Sequence, residues 1–285
     1  MPTAPSGSFT DTLRALLPPP DADGPAYRSA FGCAAELLLQ RTTWHIAGVP
    51  HRFTEVEFYF NGRKHGDIFT HGDAMQRDFG RWYHHRTAGE YRGGTYKGLD
   101  IAFGASDAPA GILVRGVERV DATPALIDGP CMCVDHLLAL HGGPTVQAFA
   151  ESFDRSVDPP PTGASPSYLT VGETPRACTV YASPRVGLTL KKGATSARVH
   201  FLAQPYRFLS EPSRIKKGRV NLVVGLHREG LSDAEIARVT GSAASQVARY
   251  TTWYEAGKGL DPKAFRSELS TEALCQLFGA CEKYL

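Results

Sequence analysis

Glu55 and Glu57 stand two residues apart in FTEVEFYF, between large apolar residues, and a polar loop carrying His65 and His71 follows them. The alternation predicts a half-buried strand with both carboxylates on one face and Val56 and Phe58 on the other. Such a pair most often marks a face turned to water. The other use of a carboxylate beside apolar residues is chemical: it can activate water and tolerate developing positive charge. Spacing alone does not choose between the two. His84 and His85 form a second histidine pair, read as surface residues. No carboxylate stands at ligand spacing from them, so no metal site is expected. Cys131 and Cys133 are close, but CMC has no matching second pair for zinc. The six cysteines are expected to be buried, reduced thiols of a cytosolic protein.

At 285 residues the chain can bury a sizeable core. Apolar content of 42% and charged content of 21% are ordinary for a globular protein. No run of 18 uninterrupted apolar residues occurs, so no membrane span is expected. The first residues lack the basic start and apolar core of a secretory signal, which points to a cytoplasmic protein, or a nuclear one in a eukaryote. A net charge of +2 permits nucleic-acid binding without arguing for it.

The elements that must position these residues follow from periodicity. Residues 1–26 read as a flexible lead with a helical turn or two, ended by Pro18, Pro19 and Pro20. From Tyr27 to Gln40 a stripe of Phe31, Ala35, Leu38 and Leu39 predicts a helix. TTWHIAGV and RFTEVEFYF read as strands joined by a turn around Gly48 and Pro50. The section from Asn61 to Gly94 is long, polar and dense in His, Arg and Gly. TYKGLDIAFG and AGILVRGVERV read as paired strands, and GPCMCVDHLLALHGG as a helix entered by Gly-Pro and left by Gly-Gly. A proline-rich loop follows at 157–168. Strands are then expected at ACTVYAS, RVGLTL and ARVHFLA. Composition shifts near residue 215. The predicted organisation is an α+β domain over 27–215, with a curved, largely antiparallel sheet and flanking helices, and a small all-α module over 216–285.

In this order the segments resemble the alkyladenine (3-methyladenine) DNA glycosylase family over about residues 28 to 215. EVEFYF resembles the family's E-T-E-A-Y strand, ILVRGVERV its L-L-R-A-x-E-P strand and GPCMCVDHLLAL its G-P-x-x-L-x-x-A-L helix. ESFD resembles a later element. SPRVGLTL and PYRFLSEPS resemble the closing P-R-I-G and P-x-R-F-x-x-x-x-S segments. The resemblance implies hydrolysis of an N-glycosidic bond through an oxocarbenium-like sugar, with Glu57 activating water and Arg115 positioning it. It makes Glu55 a supporting residue. Tyr59 would stack on an extruded base, where any π-face is accepted and a cationic one gains further. His71 would hydrogen-bond the base or sugar-phosphate, with His65 as its rival. Tyr96 would wedge into the duplex from a hairpin where the base leaves. The implied partner is damaged DNA, duplex or single-stranded, and the implied enzyme is monofunctional, monomeric and free of metal or cofactor. A salt bridge from Arg115 to Glu55 or Glu57 is the structural alternative to its catalytic role.

The chain departs from the family at the hairpin. YRGGTYKGLD replaces a tyrosine-rich Y-V-Y-x-x-Y-G, so Gly93 stands at the second stacking tyrosine and Tyr91 is its displaced substitute. Phe103 stands where a pocket asparagine is expected, the basic residue after G-P is missing, and GRWYHHR adds Trp82, His84 and His85 near the mouth. These departures keep a second reading open: hydrolysis of a free nucleoside, nucleotide or other small N-glycoside.

In the last 70 residues, LSDAEIARVTGSAASQVARY has the spacing of a helix-turn-helix, with Ala237 at the crossing, Gly241 in the turn and Val247 as anchor. Ser232 and Glu235 form a capping box on paper. Lys216, Lys217 and Arg219 are candidates for phosphate contacts, and Gln246 and Arg249 for the second helix. A helix-turn-helix protein that binds nucleic acid without catalysis is the third reading, and the motif could equally pack on its own domain.

Overall fold

The computed structural model describes residues 7–121, 123–162 and 165–285. The first six residues of the expected flexible lead, and two positions of the proline-rich loop, lie outside the described residues. The chain is α+β, and it divides into two compact units: 1–66 with 70–180, and 67–69 with 181–285. The composition shift near residue 215 therefore lies inside the second unit.

The first unit opens on helix α1 (Phe9–Leu16), capped by Ser8, whose side chain accepts from the Asp11 N–H. Phe9 and Leu13 are buried, so this part of the lead is docked rather than flexible. An i, i+4 apolar pair and a serine cap suffice for two helical turns. Helix α2 (Gly24–Glu36) is capped by Asp23 and carries Pro25 in its first turn, where a missing N–H costs nothing. It buries Tyr27, Ala30, Phe31, Ala34 and Ala35, one stripe at helical spacing. Leu38 and Leu39, expected on the same helix, fall in a π-helical turn over Leu37–Arg41.

Strands β1 (Thr42–Ile46) and β2 (Val49–Phe60) form a hairpin whose two-residue turn, Ala47 and Gly48, has positive φ at both positions. The expected polar section then holds β3 (Arg81–His84) and a short hairpin of β4 (Arg86–Thr87) and β5 (Glu90–Tyr91). Next come β6 (Leu99–Ala102), β7 (Ala110–Arg119), β8 (Leu126–Asp128), helix α3 (Pro130–Leu140), helix α4 (Val146–Ala150) and β9 (Ser167–Val171). Within this unit the sheet runs β9-β1-β2-β7-β6-β3, with β8 also on β7, and these pairings are antiparallel.

Both faces of β2 are covered, which corrects the half-buried strand. Phe58 stacks on Phe31 at 4.7 Å between centroids and Phe60 on Tyr27 at 4.1 Å, so this face packs on α2. The glutamate face is equally covered: Glu55 is 1% and Glu57 0% exposed.

The second unit holds β10 (Tyr181–Ser183), α5 (Ser196–Leu202), β11 (Arg207–Leu209), α6 (Arg219–Arg228), α7 (Asp233–Thr240), α8 (Ala244–Gly257) and α9 (Thr271–Cys281). β10 and β11 pair antiparallel. ARVHFLA, expected as a strand, is α5: Thr195 caps it by accepting from the Arg198 N–H, and Val199, Phe201 and Leu202 turn inward. RVGLTL makes no strand either; its Arg185 instead forms a fully buried pair with Asp67 at 2.5 Å. The unit's core gathers Val199, Leu222, Ile236, Val247, Tyr254 and Phe278. Three of the cysteines, 133, 275 and 281, are buried, whereas Cys33 is exposed.

Candidate functional site

The site begins with a local irregularity in the β2–β7 ladder. Phe53 pairs with Val117 and Glu55 with Gly116, yet Val56 pairs with Val114. Thr54 is thus extra on β2 and Arg115 extra on β7, and the two irregularities cancel so that register resumes. Bulges of this kind re-aim a side chain that regular pleating would send elsewhere. Gly116 is required at the crossing, since a Cβ there would lie 2.6 Å from Thr54 Oγ1. The Arg115 carbonyl accepts from the Gly129 N–H at 2.7 Å, and Gly129, at φ 117°, leads directly into α3. A non-glycine residue would be strained at that angle.

Arg115 Nε lies 2.5 Å from Glu55 Oε1 and 3.3 Å from Glu57 Oε1. The Tyr59 hydroxyl donates to Glu57 Oε2 at 2.7 Å. Burial alone would push the Arg115 guanidinium down, but the two carboxylates more than offset this and hold it well above its ordinary range. The salt bridge expected as the structural alternative therefore exists, and it joins Arg115 to both glutamates. The same contact orients Glu57: its two oxygens are engaged by different donors, so the carboxylate plane is fixed. Cys133 of α3 sits over the same face, and burial first, then Glu55, pushes its thiol up.

A second polar cluster stands on the same face. Tyr83 pairs with Asp100, Asp100 with Leu113, and Leu113 with Glu57, so one row crosses four strands from β3 to β2. Directly paired residues in an antiparallel sheet project to the same side. Glu57 and Asp100 are separated by one strand, or about 10 Å of backbone. The floor between them is Leu113 and Gly111; a Cβ on Gly111 would fall 2.3 Å from Asp100 Oδ2. Asp100, 2% exposed, accepts from Gln76 Nε2 at 3.3 Å and meets His85 Nε2 at 2.7 Å. His71 lies against His85, with ring centroids 4.3 Å apart, and its Nδ1 is 3.3 Å from the Tyr83 hydroxyl. Burial first, then His85, lowers the His71 imidazole to about 4, so it is neutral near pH 7.

The other sequence candidates separate clearly. His65, the rival of His71, is a core residue: its ring packs among Tyr27, Phe31 and Phe60, and its Nδ1 bonds the Phe60 carbonyl at 2.9 Å. Trp82 and His84 do not reach the mouth, because alternation on β3 sends them to the face opposite Tyr83. Trp82 packs on Trp44 and His84 edges Phe149. The pair of surface histidines is thus one buried residue and one member of the Asp100 cluster. Tyr96 is 76% exposed, on a single 3-10 turn (Gly94–Tyr96) rather than on a hairpin. Lys97 pairs with Asp135 of α3, and Cys131 Sγ meets the Gly94 carbonyl at 3.2 Å, which ties this turn to the helix. Tyr91 is half-buried on β5, beneath the Arg86 guanidinium. Phe103 packs against Phe31, Phe58 and Phe60, away from the glutamates. A cavity of about 360 Å³ opens on that same side, lined in part by Phe103, Phe60 and Tyr27, and Glu57, Arg115, Tyr59 and His71 do not line it.

In the second unit Lys216, Lys217 and Arg249 are exposed. Gln246 donates to the Tyr250 hydroxyl at 2.9 Å. Arg219 is not available for phosphates. Its guanidinium donates to the carbonyls of Pro212, Ser213, Ile215 and Thr240 and so braces the segment before α6 against the end of α7. The capping box of Ser232 and Glu235 is complete in both directions, and Gly241 takes the left-handed conformation between α7 and α8.

Sequence reasoning missed Asp100, Tyr83 and Gln76, and it placed His85 near the mouth without finding its partner Asp100. Asp100 had a visible signal: a carboxylate inside the apolar strand LDIA, as anomalous there as Glu57 is in its own strand. No protein-family model matches the chain. It is similar to the uncharacterized protein L759 of Acanthamoeba polyphaga mimivirus, 29% identical over 215 residues that cover 67% of this chain and 91% of that protein.

Proposed function

We propose that the protein is an N-glycosylase that removes a damaged base, an alkylated purine, from DNA. The observation that carries this reading is the fixed Glu57 carboxylate, fully buried and engaged by Arg115 and Tyr59 on a sheet face that also bears the His71 cluster. Hydrolysis of an N-glycosidic bond needs a carboxylate that can take a proton from water and stand against an oxocarbenium-like sugar. Glu57 is that group, Arg115 holds its orientation, and Glu55 keeps Arg115 in place. Tyr59 combines a ring for stacking with a hydroxyl bonded to Glu57. His71, neutral, offers a hydrogen bond to base or sugar. The resemblance to alkyladenine DNA glycosylases supports the same roles.

Exposed Tyr96 favours DNA over a free nucleoside, because an aromatic ring 76% open to solvent on a tethered turn is suited to fill a gap in a base stack. The helix-turn-helix-like pair α7–α8, with Lys216, Lys217 and Arg249 outside the core, would add phosphate contacts. The test is mass-spectrometric detection of free base after incubation with methylated duplex DNA and, in parallel, with the matching free nucleosides. Release from duplex alone supports the proposal. Release from nucleosides alone would move the substrate to small N-glycosides, and release from neither would overturn the hydrolase.

A further inference from the structure

The cavity of about 360 Å³ lies within the first unit, on the far side of β2 from Glu57, and the rings of Tyr27, Phe60, Phe79 and Phe103 wall it. Its roof is the segment 17–20, which leads from α1 to α2. Pro18, Pro19 and Pro20 carry no N–H, so this part of the roof supplies no backbone donor. The Tyr27 hydroxyl donates to the Pro19 carbonyl at 3.1 Å and pins the roof in place. Burial first, then Asp21, pushes that hydroxyl up to about 12, so it stays neutral. Small residues form the remaining wall: Ala105, Ala108 and Gly104, where a Cβ would lie 2.3 Å from the Gln76 carbonyl oxygen. Arg14 is the one charged residue of the lining. Its helix is fixed by buried Phe9 and Leu13 and by the Thr10 N–H, which donates to Asp158 Oδ1 at 3.2 Å. The Arg14 guanidinium carbon stands 3.9 Å from the centre of the Phe79 ring. A contact of this kind occupies the face of a guanidinium and leaves its N–H edge to bond an anion.

We propose that this cavity binds a small aromatic carboxylate, with its ring system among the aromatic walls and its carboxylate on Arg14. Each part of that class follows from the lining. Aromatic walls favour an aromatic guest through offset and edge-to-face contacts. A guanidinium with a free edge matches a carboxylate, which it can hold by two parallel hydrogen bonds. A purine base fits poorly, because its ring nitrogens and amino group would go unpaired. Beyond Arg14 the one polar side chain of the lining is Tyr27, whose proton is committed to Pro19. The volume stands at the small end of the range for ligand pockets, roughly 300–1,000 Å³, and suits one or two fused rings. The site is separate from Glu57, so it neither needs the N-glycosylase reading nor supports it. It gives a use to α1 and the prolines after it, which form the anion-binding end and the roof.

The experiment is calorimetric titration of the full chain with naphthoate. Two comparison compounds are titrated beside it: naphthalenemethanol, which keeps the rings and lacks the charge, and decalin carboxylate, which keeps the charge and lacks the aromatic rings. The variants are Arg14→Gln, an exposed helix position whose change leaves the fold intact, and Ala105→Leu, which fills the cavity. Naphthoate is expected to bind the wild type at one site with a Kd of about 100 μM or tighter. Both comparison compounds, and naphthoate on Arg14→Gln, should bind about 10-fold more weakly. Ala105→Leu should abolish binding while its melting transition shows a folded protein; Arg14→Gln decides the matter alone if Ala105→Leu does not fold. Absence of saturable binding to the wild type, or naphthoate affinity unchanged in Arg14→Gln, overturns the site. Equal affinity for the neutral or the saturated compound overturns the ligand class. Base release from DNA plays no part in any of these outcomes, so the N-glycosylase reading stands or falls separately.

Discussion

Arg115 is the residue whose loss the fold should feel most. It is the guanidinium between two buried glutamates, and its removal leaves buried carboxylates without their counter-charge. Breaking such a buried cluster costs roughly 3–5 kcal/mol. Arg115→Ala should lower unfolding free energy in urea by that amount, whereas a loss below about 1 kcal/mol would mean that the glutamates are solvated or protonated instead. Several histidines carry a second expectation. Burial lowers His51 and His71 to about 4 and His84 to about 3, from 6.5. The unfolded chain then binds more protons than the fold between these values, so this contribution is complete above pH 6.5 and is lost as pH falls toward 4 and below. Melting temperature should drop steadily over that window, and less steeply in His84→Phe. An equally steep fall in that variant would contradict the assignment for His84. At this scale the alternation showed only that Glu55, Glu57 and Tyr59 share one strand face, and the roles expected of Glu57, Tyr59 and Arg115 came from the resemblance to the glycosylase family. The role of His65 was not, since a histidine that bonds a nearby carbonyl inside an aromatic cluster looks the same in sequence as one in an open loop.

The element that matters is the double irregularity between β2 and β7. It turns Arg115 toward both glutamates and it depends on Gly116 standing beside Thr54. Gly116→Ala would push a methyl against Thr54 Oγ1, an overpacking worth about 1–3 kcal/mol. The double variant Thr54→Ala/Gly116→Ala should recover more than half of that loss in a denaturation cycle. Purely additive losses would mean that the constraint at Gly116 lies elsewhere. The sequence showed both strands but not the bulges, because the alternation of Glu55, Glu57 and Tyr59 continues unbroken past the irregularity. It also showed α3, whose Gly-Pro entry and Gly-Gly exit are strong local signals. It misread ARVHFLA as a strand, where β-branched and aromatic residues outweighed the Thr195 cap that starts α5.

At the scale of the molecule, a change in composition at 215 was the visible cue, yet the units divide between Val180 and Tyr181. Residues 181–215 contribute Leu190, Val199, Leu202 and Leu209 to the second core, and long-range burial of that kind leaves no local mark. Among the described residues, no helix is long and apolar enough to cross a membrane. If the second unit helps hold DNA, replacing Lys216, Lys217 and Arg249 with glutamine should reduce the salt slope of duplex binding by about one per lost phosphate contact. An unchanged slope would leave α7 and α8 a packing role only. The central claim concerns Glu57 itself, and the most direct measurement is single-turnover base release from methylated duplex DNA by the wild type, Glu57→Gln and Glu55→Gln, with duplex affinity measured in parallel. The expected result is that Glu57→Gln binds the duplex but loses release by at least about 100-fold, while Glu55→Gln loses far less. Release by Glu57→Gln at the wild-type rate would contradict the account.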